Sequence, residues 1–173
     1  MTPRLVALCS LALTLAACDA DESRNKSKGP PADLCKASSR HVDLEIGTSY
    51  RDGASVASFL PVEEDDALEL VHGPQGGFHV EIALRGSHLD TSELLPGEIR
   101  GWVNGELLAN VAPWFLFNCT DEGQDSWGTL MIFRAQPEDL HLQTVDVEVD
   151  LVDVSGNEVS MTSSFLISDP EFL

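Results

Sequence analysis

Three groups of side chains in this sequence have the composition of a reactive or binding site. His72 and His79 flank the glycine-rich turn of "LELVHGPQGGFHVEIALRG", residues 68–86, and two imidazoles beside open backbone amides are what a transition metal or a small anion needs. Ser87, His88 and Asp90 hold a nucleophile, a base and an acid within a few positions, the ingredients of acyl transfer. Asp121, Glu122 and Asp125, together with Glu63-Glu64-Asp65-Asp66 and the row Asp146, Glu148, Asp150, supply the carboxylate oxygens from which calcium takes its six to eight ligands at about 2.3–2.6 Å.

Spacing tests each group. His72 has the parity of Leu68 and Leu70, whereas His79 alternates against Phe78 and Val80 and falls with Glu81. On strands that bury their apolar faces the two rings project to opposite sides, which argues against a shared metal. The "GPQGG" between them reads as a hairpin loop, with Pro74 presetting φ and Gly76 and Gly77 free to take positive φ. A recognition loop built on His72, Gln75, Gly76, Gly77 and His79 is the alternative. The phosphate-loop pattern is absent. Ser87, His88 and Asp90 are neighbours on an extended chain, where adjacent side chains diverge, and neither G-x-S-x-G nor H-E-x-x-H occurs. A hydrolase is therefore a distant third reading, and no catalytic residue or cofactor is assigned. No D-x-[DN]-x-[DN]-G loop is present, and the 146–150 row reads as the wet face of a strand. That leaves Asp121, Glu122 and Asp125 as weak calcium candidates.

The elements that must position these residues are strands. "HVDLEIG" sets Val42, Leu44 and Ile46 against His41, Asp43 and Glu45, and "FHVEIALRG" sets Phe78, Val80, Ile82 and Leu84 against His79, Glu81 and Arg85. A period of two marks half-buried strands. Val145, Val147, Val149 and Leu151 alternate with acids up to a Ser155-Gly156-Asn157 turn. Val159, Met161, Ser163, Phe165 and Ile167 then alternate on a returning strand. Asn104-Gly105 marks a second hairpin, in a two-residue turn that needs positive φ. Further strands are expected near 55–60, 66–72 and 128–135, about nine in all, while "SELLPGE" and "QPEDLHL" allow one helical turn each. The expected fold is an all-β antiparallel sandwich. The C-terminal hairpin resembles the last two strands of bacterial immunoglobulin-like domains. Trp114, Phe115, Phe117 and Trp127 bracket Cys119 and the acidic loop, either as packing around it or as an exposed aromatic platform.

Ten Lys plus Arg against 29 Asp plus Glu give a formal charge of −19. That surface repels nucleic-acid phosphates and anionic headgroups, so nucleic acid is excluded as a partner class. The length fits one domain, and 43% apolar with 23% charged residues fits a globular one.

The first residues are an address. "MTPRLVALCSLALTLAACDAD" carries Arg4 and then runs apolar from Leu5 to Ala17, about 20 Å as a helix and too short for a bilayer core of about 30 Å. It reads as a signal peptide over 1–17. Its end, Leu15-Ala16-Ala17-Cys18, resembles the lipobox of bacterial lipoproteins. The resemblance implies lipid attachment at Cys18, cleavage before it and a membrane anchor in the bacterial envelope. Asp19 resembles an inner-membrane retention signal of some enteric bacteria, which leaves inner or outer membrane open. Residues 18–34 then read as an anchored flexible tether, with both charge signs, Gly29 followed by Pro30-Pro31 and no apolar periodicity, and the β domain is expected over 35–173. The segment "HGPQGGFH" also resembles one in uncharacterised bacterial lipoproteins, which implies kinship without an activity.

With Cys9 removed and Cys18 lipidated, Cys35 and Cys119 remain. In an oxidising, exported compartment they are expected to pair, and no C-x-x-C spacing favours a metal or redox role. These readings converge on a lipid-anchored envelope protein that acts as a non-catalytic binding or structural module toward a protein or glycan. The alternative is a calcium-stabilised adhesion or carbohydrate-binding module.

Overall fold

The strongest alternation forms the most regular hairpin. In the computed structural model, which describes residues 34–38, 42–50, 58–63 and 66–172, the strands are β1 (Asp43–Tyr50), β2 (Ser58–Pro61), β3 (Ala67–Glu69), β4 (Val71–His72), β5 (Phe78–Ser87), β6 (Leu95–Val103), β7 (Glu106–Val111), β8 (Trp114–Phe115), β9 (Asn118–Cys119), β10 (Gln124–Phe133), β11 (Thr144–Val152) and β12 (Glu158–Ser168). One helical turn, α1 (Pro137–Leu140), lies in "QPEDLHL". The signal segment, Cys18 and residues 19–33 lie outside the described residues, as do residues 64–65 of the first acidic cluster.

The chain is all-β. Nine strands follow one hydrogen-bonded path, β2-β1-β5-β10-β7-β6-β11-β12-β3, and three two-residue strands pair beside it. The two layers of the expected sandwich are halves of a single curled sheet, since β10 meets β7 through one residue pair, Phe133 with Ala109. In the β11–β12 hairpin Val145, Val147 and Val149 are fully buried and pair with Phe165, Ser163 and Met161. The Asn104-Gly105 turn takes φ of 52° and 81°, the positive pair that a right-twisted hairpin requires.

The antiparallel expectation needs one correction. Residues 66–72 do not form one strand: β3 runs parallel to β12, then β4 pairs antiparallel with β5. At the break, the Leu70 amide donates to the Ser168 carbonyl, and the Leu70 side chain is 1% exposed. A segment travelling in one direction across the mouth between two half-sheets meets β12 with one polarity and β5 with the other, so its pairing is necessarily mixed. Residues 67–72 lace the halves on the side opposite the β10–β7 seam. Between the seams lies one core, with Ile46, Val80, Ile82 and Leu84 facing Ile99, Val147, Val149 and Phe165, each burial contributing about 1.5–3 kcal/mol.

The ends of the fold differ. β5, β11 and the starts of β1, β6, β10 and β12 converge on the loops 88–94, 120–123 and 153–157, where residues 34–38 join. The His88 amide donates to the Leu34 carbonyl and the Ser38 amide to the His88 carbonyl. Cys35 and Cys119 are disulfide-bonded, with Cα atoms 5.8 Å apart. The opposite end carries the 73–77 turn and the final turn at Pro170–Phe172.

Candidate functional site

The outer face of β5 and β10 holds an open groove of about 520 Å3, lined by Ser58, Phe59, Arg85, Thr120, Asp121, Glu122, Asp125 and Trp127. Its floor follows from a glycine. Gly47 on β1 leaves room for the Phe59 ring, which a Cβ at that position would meet at 2.7 Å, so Phe59 folds flat over the sheet and is 6% exposed. The Arg85 guanidinium stacks on that ring, 4.5 Å from its centroid.

Arg85 organises the rim. Its Nε and Nη2 donate to the two oxygens of Asp125 at 2.8 and 2.9 Å, a fork-on-carboxylate pair of the strong kind, and its Nη1 meets Glu122. The Asp125 hydrogen bonds, then the attraction of both acids, raise Arg85 above its already high value despite partial burial. Thr120 closes the loop, its hydroxyl donating to the Gly123 carbonyl at 3.0 Å and its amide to the same carbonyl at 2.7 Å. Gly123 takes φ of 154°, and a Cβ at that position would sit only 2.9 Å from the Gly86 carbonyl oxygen. The neighbouring Cys119 is fixed by the disulfide. Trp127, half-buried at the β10 bulge between Ser126 and Thr129, supplies the second aromatic wall, and the Asp121 and Glu122 carboxylates stand exposed.

The residues singled out from sequence are distributed as follows. Asp121, Glu122 and Asp125 do come together at this groove, where the Arg85 guanidinium pairs with Asp125 and Glu122. Among the described residues no three His, Cys, Asp or Glu are arranged to hold a metal. His72 and His79 project to opposite faces. His72 packs edge-on against its cross-strand partner Phe78, with ring centroids 5.0 Å apart, while His79 pairs with Val71 and Ile132 on the outer face. Gln75, Gly76 and Gly77 are exposed in a turn closed by the Gly73 amide donating to the Gly77 carbonyl. Ser87, His88 and Asp90 are drawn to different partners: Ser87 to Asp43, the His88 ring to the Lys36 carbonyl, and Asp90 to the Ser92 and Ser155 hydroxyls. These hydroxyl bonds hold the Asp90 carboxyl below its ordinary value. The four aromatics divide: Phe115 and Phe117 are buried beneath the loop, and Trp114 is 66% exposed.

Sequence reasoning missed Phe59 and Arg85 as site residues. Arg85 was legible only as an outward member of a strand, and Phe59 carries no local signal for a partner that lies across the sheet. It also missed a second polar centre at the far end. There His72 Nε2 donates to Asp169, which is fully buried, at 2.8 Å, and the Asp169 amide donates to His141 Nδ1. The hydrogen bond to Asp169 is the main cause raising His72 above 6.5. Burial works to raise the Asp169 carboxyl, but the Glu171 amide and His72 outweigh it and hold it below 3.8. The His141 ring in turn stacks on Phe172, so this centre fastens the C-terminal segment to β4 and α1. No protein-family model matches the chain, and no curated protein is significantly similar to it.

Proposed function

We propose that this chain is a lipid-anchored protein of the bacterial cell envelope, held through Cys18, whose β domain binds an extended polyhydroxylated ligand in the Phe59–Trp127 groove without catalysis. The observation that carries the binding reading is the preorganised rim. Asp125, Glu122 and Arg85 are locked to one another and to a disulfide-bonded loop beside aromatic walls, so little order has to be gained on binding. Aromatic faces take the C–H faces of a sugar ring, while exposed carboxylates at Asp121 and Glu122 and the Ser58 hydroxyl accept or exchange hydrogen bonds with its hydroxyls. An anionic ligand is disfavoured because the groove's one cation is neutralised by two acids. The disulfide is compatible with an oxidising exported compartment. The described residues contain no helix long and apolar enough to cross a membrane.

Two measurements test the parts separately. In fractionated cells, Cys18→Ser is expected to move the protein from membranes to the soluble fraction, and retention on membranes in high salt defeats the anchor. Purified protein is expected to be retained on immobilised envelope glycans, and Trp127→Ala to lower that retention by up to about tenfold, the loss of one good stacking contact. Equal retention of both proteins, or of neither, rejects the glycan assignment.

A further inference from the structure

We infer that Leu94, Trp114, Leu116, Val152 and Val154 form a membrane-contact tip that lays the tether end of the domain against a zwitterionic bilayer surface. These side chains are 49%, 66%, 60%, 40% and 44% exposed. Four of them line a single surface hollow of about 260 Å3, and Leu116 follows Trp114 on the same side of the chain, with buried Phe115 and Phe117 on the other. An exposed Trp among four exposed aliphatics is a concentration of apolar surface that an isolated domain does not need for its own stability.

The place of this tip in the fold identifies its occupant. The Val154 amide donates to the Asp90 carbonyl, and two residues earlier the His88 amide donates to the Leu34 carbonyl. The tip and the point where the tether joins therefore share one end of the sheet. Cys18 stands sixteen positions before Leu34, so the anchor can be at most about 55 Å away. Tethering at that distance converts a weak surface contact into an intramolecular one at high effective concentration. The chemistry agrees with the interface of a bilayer. An indole with an apolar body and one N–H donor is the side chain most at home at headgroup depth. The tip carries no basic residue: Glu93 borders it, and the carboxylate of Asp153 beneath it is turned into the hairpin by Asn157 and the Asp90 amide. The contact is thus apolar, insensitive to salt and weakened by anionic lipid.

The inference rests on lipid attachment at Cys18, and one experiment separates the two. Full-length lipidated protein is reconstituted in phosphatidylcholine vesicles whose acyl chains carry bromine near the headgroup, then floated and read by tryptophan fluorescence. The expected result is flotation with quenching of about a third of the emission, the share of one Trp in three. That quenching is absent in Trp114→Phe and reduced in Leu116→Ser/Val154→Ser, which float equally well. Flotation without quenching overturns the contact and leaves the anchor standing. Failure to float overturns both. Cross-linking of neighbouring copies on the vesicle that depends on Trp114, with no quenching, assigns the tip to a second copy and also overturns the contact.

Discussion

Arg85 and Arg100 are built from the same parts and do different things. Each is an arginine on the outer face of a long strand, beside an aromatic ring and several carboxylates. Arg85 uses Nε and Nη2 on both oxygens of one acid, Asp125, and stacks at 4.5 Å on Phe59. Arg100 spreads itself over three acids: Nη2 serves Glu148 and Asp150, Nη1 lies 3.5 Å from Glu98, and its buried Nε has no hydrogen-bond partner among the described residues. Trp102 lies farther off, at 5.8 Å. The difference is in the acids. Asp125 is 3% exposed and sits on β10 directly across from Arg85, flanked on its other side by β9 with the disulfide-bonded Cys119, whereas Glu98, Glu148 and Asp150 lie on an open sheet face at 32–41% exposure. A cross-strand ion pair becomes the floor of a concave site where a short strand, the 120–123 loop and an aromatic ring wall it in, and the same ion chemistry on an uncovered sheet face only neutralises a charged row. That row has a second set of partners in the serines of β12, with Ser160 and Ser164 donating to Asp150 and Asp146 at 2.6 Å.

The comparison breaks most completely at the disulfide. Removing it with Cys35→Ser/Cys119→Ser releases a loop closed over 84 positions and is expected to lower unfolding free energy by about 4–5 kcal/mol in the chain-entropy picture. Urea melting measures the loss, and limited proteolysis is expected to cut at 119–125 before any site near Arg100. Next, Asp125→Ala strands a largely buried guanidinium with only the exposed Glu122, at an expected cost of about 3–5 kcal/mol. Asp150→Ala, which leaves Arg100 two other acids, is expected to cost less than about 1 kcal/mol. Equal costs in parallel denaturation curves would show that the two arginines are equivalent after all. Raising salt toward molar concentration sharpens the contrast by a smaller amount: the coupling of Arg100 to Glu148 in a double-mutant cycle is expected to fall, and that of Arg85 to Asp125 to persist.

The smallest effect is at the third charge centre. Because His72 holds its proton more tightly in the folded chain, its contribution is complete below about pH 6.5 and is lost as pH rises through the raised folded value. Asp169 acts in the opposite sense, contributing above about pH 3.8 and losing that contribution as pH falls through its lowered value. The clasp is therefore strongest between about pH 4 and 6.5. Thermal melting is expected to decline from pH 6 to 8 in the wild type, and to do so less in His72→Gln. An unchanged slope in that variant assigns the pH dependence elsewhere.

Local pattern carried the hairpins. Val145 to Leu151 and Val159 to Ile167 alternate because one face is core, and Asn104-Gly105 and Gly156 mark turns because few residues adopt positive φ. The disulfide followed from elimination among four cysteines, and the separation of His72 from His79 from strand parity. What stayed hidden was long-range. Arg85 and Asp125 are 40 positions apart and His72 and Asp169 are 97 apart, so neither pair leaves a periodic trace. The groove's floor depends on Phe59 lying over Gly47, a packing choice visible only once β1 and β2 are paired. Residues 66–72 read as one strand because their apolar alternation is continuous, although the chain changes partner at Leu70. The Arg100 neighbourhood shows the converse: its acids were legible as a wet strand face, and a wet face is what they form.

That change of partner sets the order in which the molecule can be assembled. Among the described residues β3, at 67–69, is paired by β12 alone, so Leu68 and Leu70 stay unsheltered by a neighbouring strand until residues 158–168 have been synthesised. Such remote pairing places folding on a timescale of about milliseconds to seconds after release, and leaves a nascent apolar edge that a holding chaperone would need to cover.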